Sequence, residues 1–298
     1  MIEIHKLSKT YDKTQVLNNL DCTIKENTIY GLVGANGAGK STLLRLINGI
    51  LIPDSGTIKV DNENIIDNEI KKQDMVFVPD DLFFYTNYSL MDMAKFYKAL
   101  YKKFDVKYLE SLASKLKLDL NSKIQTFSKG MKRQCALILA LATHAKYMFF
   151  DETFDGIDPV IRNFFKKIIA TQMSEDNTTI IMTSHNLREL EDICDNLGLL
   201  YDGGILFESD IDSLKTNMYK VQISLDKNFN EDDFLELDVL SFKKIGSIAT
   251  IIIKDEKKTS KKILEAMHPI ILDFLPLTLE EVFIYEMEAL GYEFNEMV

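Results

Sequence analysis

The chain has 298 residues, 46% of them hydrophobic, and its 46 acidic against 35 basic side chains give a formal net charge of -11. That length suits a principal domain of about 200 residues with a smaller appendage, and the negative balance disfavours a surface that grips nucleic-acid phosphates without special patches. Cys22, Cys135 and Cys194 are odd in number and lack metal-type or dithiol spacing, so free structural thiols are expected.

The opening apolar run is broken by Glu3, His5 and Lys6 and does not read as a secretory signal. No apolar run approaches the ~20 residues that cross a bilayer. Ile29–Val33 (IYGLV) predicts a short buried strand, and residues 41–50 (STLLRLINGI) a helix with one apolar face. Between them, Gly34-Ala35-Asn36-Gly37-Ala38-Gly39-Lys40-Ser41 satisfies the GxxxxGK[ST] pattern. Glycines there let inward-pointing N–H groups approach a phosphate chain that side chains would hold off. The helix that follows adds its positive N-terminal end. Asn36, Gly37, Ala38, Gly39, Lys40, Ser41 and Thr42 are therefore the expected nucleotide-binding residues, with Lys40 reaching the β- and γ-phosphates and Ser41 completing the coordination of Mg2+.

A segment dense in aromatics follows, with Phe83, Phe84, Tyr85, Tyr88, Phe96, Tyr97, Tyr101 and Phe104. Ser89 with Asp92 predicts a capped helix over 91–101. Most of these rings are expected in a core, and two or three on an exposed docking patch. Ser128 suits the N-cap of a helix running from Met131 to Ala140. Tyr147 to Phe150 is a continuous apolar run, the mark of a strand buried on both faces. Of the acids that end it, Asp151 is expected to hold Mg2+ through its water and Glu152 to polarise an attacking water. A third strand, 178–182 (TTIIM), leads into Thr183-Ser184-His185. A lone histidine is more often a surface or core residue, yet this one stands where ligands of such sheets bind, and it is assigned to the γ-phosphate and the attacking water.

After Leu214 the pattern changes. Strands are predicted over 219–225 and 249–253, a helix over 261–267 and an amphipathic close over 277–290. The lysines and acids of 254–258, with Lys261 and Lys262, read as a solvated face. Together these suggest an α+β appendage of about 75 residues.

In their order these elements resemble the ATP-binding subunits of ABC transporters, over residues 1–215. The discriminating piece is Phe127-Ser128-Lys129-Gly130-Met131, which resembles that family's LSGGQ signature. The resemblance implies an α/β P-loop NTPase core of ABC type with an antiparallel β subdomain and a helical insert over about 83–145, followed by the small C-terminal α+β appendage at 216–298. It implies that Ser128, Lys129, Gly130 and Met131 complete the γ-phosphate site of a second subunit. It matches Tyr11 to the aromatic on which adenine stacks, a packed tyrosine being the alternative. Asp155-Gly156-Ile157-Asp158 resembles the loop that carries an aspartate, here Asp158, across the dimer interface, and 184–195 resembles the switch-histidine region. Three positions depart from the family. Lys129 replaces a glycine, Thr153 replaces the proline after the glutamate, and Asp80 replaces the glutamine after Val76-Phe77-Val78-Pro79, where a carboxylate is expected to contact Mg2+ through water.

By the same resemblance the chain is expected to hydrolyse ATP with Mg2+ and to power a membrane transporter. Its expected partners are an integral membrane subunit and a second ATPase subunit, identical or not, with no nucleic acid, and its place is cytoplasmic, peripheral on the inner face of the cell membrane. The amphipathic close is similar to that of bacterial drug and peptide exporters, which implies export of a drug, peptide or lipid-like substrate. The alternative is a soluble ABC ATPase acting on nucleic acid or the ribosome. The interval between phosphate loop and signature is too short for the coiled coil of chromosome and repair members, and there is one cassette where translation-factor members have two. A regulatory subunit that binds ATP without hydrolysis would not need Lys40, Asp151, Glu152 and His185 together.

Overall fold

The computed structural model describes residues 1–289 apart from 155, 192 and 256–258. They fold as two compact units that divide between Glu208 and Ser209. The first unit opens with β1 (Ile2–Tyr11) and β2 (Thr14–Ile24), paired antiparallel. Along β2, buried Leu20, Cys22 and Ile24 alternate with exposed Asp21 and Thr23, so one face of this sheet lies in a core and the other in water. β3 (Ile29–Val33) shows no such alternation and is buried throughout. α1 (Lys40–Ile47) ends earlier than its apolar pattern predicts. The Asn48 side chain donates to Leu44 O at 2.8 Å and Gly49 turns left-handed at φ 61°, which closes the helix. β4 (Ser55–Val60) and β5 (Glu63–Asn64) complete an antiparallel sheet of order β2-β1-β4-β5.

After α2 (Glu69–Lys72) and β6 (Met75–Val78) comes the helical insert. α3 (Leu90–Leu100) begins at Ser89, whose hydroxyl accepts the Asp92 N–H while the Asp92 carboxylate accepts the Ser89 N–H, the reciprocal cap expected from the sequence. α4 (Val106–Lys115) and α5 (Lys129–Leu141) follow, and Ser128 caps α5 through the Met131 N–H. The chain then returns to the sheet with β7 (Tyr147–Asp151), α6 (Pro159–Asp176), β8 (Thr179–Ser184), α7 (Leu187–Glu191), β9 (Asn196–Tyr201) and β10 (Gly204–Asp210). The six-stranded sheet has the order β10-β9-β3-β8-β7-β6, and β9, β3, β8, β7 and β6 run parallel. A parallel sheet is covered on both faces, which is why IYGLV and YMFF read as unbroken apolar runs. One core joins the two sheets: Leu43, Leu44, Leu46 and Ile47 of α1 meet Ile2, Ile4 and Leu17 of the antiparallel sheet and Leu32, Phe149 and Ile181 of the parallel one.

The second unit holds α8 (Ile211–Asn217), β11 (Met218–Ser224), β12 (Asp238–Ile245), β13 (Ile248–Lys254), α9 (Ser260–Ala266), β14 (Ile271–Leu275) and α10 (Leu279–Ala289). α8 falls within it, so the division comes ahead of the 215/216 boundary read from the sequence. Its sheet is antiparallel in the order β12-β13-β11-β14, over a core of Val221, Ile223, Ile251, Ile253, Phe234 and Leu264. β12 and β14 are the edge strands, neither has a fully buried residue, and neither is among the strands predicted. Leu290, which ends the predicted amphipathic close, and the charged residues 256–258 lie outside the described residues. Among the described residues no helix is long and apolar enough to cross a membrane.

Candidate functional site

Strand register gathers the predicted residues. Val33 pairs with Ser184, and Asp151 with Thr183, so the phosphate loop after β3, the Asp151-Glu152 step after β7 and His185 after β8 leave adjacent parallel strands at one level. This is the carboxyl end of the sheet, where open α/β folds bind ligands. Two glycines of the loop have steric reasons to be glycine. A Cβ on Gly34 would stand 2.6 Å from Leu200 O, and Gly39 takes φ 105° as it hands the chain to α1.

Lys40, 4% exposed, folds back over its own loop. Its Nζ donates to Gly34 O at 2.7 Å and Ala35 O at 3.1 Å and lies 3.4 Å from Glu152 Oε1. The other Glu152 oxygen stands 3.5 Å from His185 Nδ1. Lysine, glutamate and histidine are thus one continuous polar cluster.

Glu152 adopts φ 47°, a left-handed conformation uncommon for a residue that bears a side chain. Thr183 braces it: its Oγ1 accepts the Glu152 N–H at 2.9 Å and donates to Asp151 Oδ1 at 2.7 Å, and its backbone O lies 3.2 Å from the same nitrogen. One hydroxyl orients both acids. Thr183 carried no role in the sequence reading, because its bonds reach back 31 and 32 residues. The Thr153 hydroxyl, where the family has proline, donates to Val78 O at 3.3 Å and Asp151 O at 3.2 Å, so it links the exit of β7 to the end of β6. Behind His185, the buried Glu189 carboxylate accepts from Ser184 Oγ at 3.2 Å and Arg162 Nη2 at 2.8 Å.

Ser41, in the first turn of α1, and the buried Asp151 carboxylate both offer hard oxygen donors, the kind Mg2+ selects, and so fit that ion. Asp80 is engaged elsewhere: its Oδ1 lies 2.9 Å from Nη2 of Arg133 on α5.

Other predicted residues lie on separate elements. Tyr11 ends β1, exposed, with Lys9 Nζ 5.9 Å from its ring centre. Ser128 and Lys129 are exposed at the start of α5, Met131 follows in the same turn, and a Cβ on Gly130 would meet nothing within 4 Å. Asp158 is exposed and caps α6 by accepting the Val160 N–H at 2.8 Å. Asp155 and Asp192, from the two family-like segments, lie outside the described residues.

A lysine buried against two backbone carbonyls of its own loop, close to an acid pair at the end of a strand two places along the same sheet, serves the binding and cleavage of a nucleoside triphosphate, and the first unit is a P-loop NTPase. The family described as ABC transporter matches residues 17–155. The ABC transporter ATP-binding protein YtrB of Bacillus subtilis (strain 168) is 34% identical over 284 residues, 95% of this chain and 97% of that protein. The lantibiotic transport ATP-binding protein SrtF of Streptococcus pyogenes is 30% identical over 231 residues, 76% of this chain and 99% of that protein. A solved ATP-binding subunit of an ABC transporter superposes with a TM-score of 0.64 at 24% identity, covering 72% of this chain and 92% of that one. The chain belongs to the ABC transporter family as an ATP-binding subunit, an ATPase of ATP-powered transport.

Proposed function

We propose that the chain is the Mg2+-dependent ATPase of an exporter with a drug, peptide or lipid-like cargo. In this reading it works in the cytoplasm as one of a pair of ATPase subunits beneath an integral membrane partner, and nucleic acid has no part in it. The observation that carries the catalytic part is the contiguity of Lys40, Glu152 and His185 at the end of the parallel sheet.

When triphosphate enters the loop, its β- and γ-oxygens take over the Lys40 ammonium from the Gly34 and Ala35 carbonyls. Glu152 accepts the proton of a water that attacks the γ-phosphorus while the bond to the β-bridging oxygen breaks, and His185 holds the γ-phosphate and that water in line. Thr183 keeps Glu152 in the geometry this requires. Mg2+, held by Ser41 and Asp151, would neutralise charge on the phosphates. Tyr11 stacks on the adenine.

These groups leave one side of the γ-phosphate open, and phosphoryl transfer depends on positioning and surrounding charge. Ser128 and Gly130 are exposed or open at the tip of α5, with Lys129 beside them as an added cation. A second subunit supplies that tip, and Asp158 lies at the contact between the pair. ATP binds the closed pair better than the open one, so binding closes it and hydrolysis releases it.

The insert offers a surface for the membrane partner. Exposed Phe83, Tyr88 and Phe96 gather around Tyr85, with ring centres 5.4, 5.1 and 5.4 Å from it, whereas Phe104 is buried and Tyr101 donates to Met75 O. A cytoplasmic helix of the membrane subunit fits such an apolar patch. Export is supported by the similarity to SrtF, named for lantibiotic transport. The test is recovery of an integral membrane protein with the chain from solubilised membranes. Phe83→Asp with Tyr85→Asp should abolish that recovery and leave nucleotide binding intact; undiminished recovery would refute the docking assignment.

A further inference from the structure

We propose that Arg133 and Asp80 form a positioning pair that sets the Ser128-bearing helix against the phosphate site. Arg133 lies on α5 just beyond the signature residues, with 8% of its side chain exposed, and its Nη2 is 2.9 Å from Asp80 Oδ1. Asp80 stands on the loop just past β6. On another side, a Cβ on Gly156 would lie 3.6 Å from Arg133 Nη1, which places the loop between Glu152 and Asp158 against the same guanidinium. Three segments meet at one planar cation: the exit of β6, the signature helix and the loop after the catalytic glutamate.

A guanidinium presents its donors in a fixed fork, so the carboxylate it bonds fixes direction as well as distance. A cation this buried also needs its counter-charge, since leaving it unpaired forfeits hydration without return. Asp80 therefore does for α5 what a neutral glutamine could not: it neutralises Arg133. Because Ser128 and Gly130 ride on that helix, a shift of Arg133 moves the groups offered to the second subunit. The inference rests on Ser128 acting across the dimer. On this view the Asp80 carboxylate belongs to Arg133 and not to Mg2+.

The test uses the full chain with Asp80→Asn, Arg133→Gln, the double variant and Asp80→Glu. Each single neutralisation should lower kcat about ten- to a hundredfold, as expected for a misplacement of about 1 Å. KM for ATP and the Mg2+ concentration for half-maximal rate should stay unchanged. Amide hydrogen exchange at residues 128–133 should rise in the nucleotide-free protein. The double variant should be no worse than either single one, because the unpaired charge is gone, and Asp80→Glu should retain most activity. A raised Mg2+ requirement in Asp80→Asn alone, additive losses in the double variant, or unchanged exchange at 128–133 would each overturn the proposal. Normal hydrolysis by Ser128→Arg would instead refute the dimer reading while leaving the exchange result in place.

Discussion

Lys40 Nζ stands 3.4 Å from Glu152 Oε1, so the cation of the glycine-rich loop and the acid after β7 are each other's counter-ion. In the proposed mechanism the phosphates of ATP break that contact and so free the carboxylate to face water.

Replacing Lys40 should therefore act on binding first. Lys40→Ala removes a charge-assisted contact worth about 2 kcal/mol, and ATP affinity should fall roughly thirtyfold with turnover lost as well. Titration with a fluorescent ATP analogue checks this, and an unchanged affinity would remove Lys40 from the site.

Thr183→Val keeps the shape of the strand but deletes the hydroxyl that bonds Glu152 N–H and Asp151 Oδ1. ATP affinity should stay close to the parent value while kcat drops by about ten- to a hundredfold, the range for groups that orient metal ligands. A steady-state ATPase assay separates the two constants. A variant with parent kcat would show that Glu152 holds its φ of 47° without this threonine.

Ser128 reads two ways from its own geometry, since its hydroxyl already caps α5. Ser128→Arg puts a long cation at the tip where the second subunit's nucleotide is to be seated. Nucleotide binding should be nearly intact and hydrolysis should stop; loss of both in equal measure would speak for a cap and nothing more.

What could be read in advance followed local chemistry. The glycine spacing around Lys40 and the unbroken apolar runs before Val33 and Asp151 are nearest-neighbour features, and they placed the phosphate loop and both strands. The Ser89–Asp92 cap spans three residues and was legible for the same reason. Thr183 and Arg133 were not, because a hydroxyl bonding an acid 32 positions back, or a guanidinium bonding one 53 positions back, leaves no periodic trace. Edge strands β12 and β14 escaped because partial burial blurs the period-2 pattern.

The cysteines give a check on the packing. All three are free and buried, and burial pushes the Cys135 thiol up to about 12. Burial, with the Glu208 charge adding, does the same for Cys22 against the opposing effect of its hydrogen bond with Tyr30. A raised thiol pKa means that the folded state holds its proton more tightly, so this contribution to stability is full below the unfolded thiol's ~8.5 and is lost as pH rises through the folded value. At pH 8 a chromogenic disulfide should therefore modify almost no thiol in the native protein and three in denaturant. Rapid native labelling would contradict the buried placement.

The most direct measurement is sedimentation of Glu152→Gln with ATP and Mg2+. The base is lost and every binding group stays, so hydrolysis should fall by at least about a hundredfold and the protein should sediment as a stable dimer with ATP and as a monomer with ADP. Turnover at the parent rate, or a monomer in both nucleotides, would contradict a triphosphate held between Lys40 of one subunit and Ser128 of another.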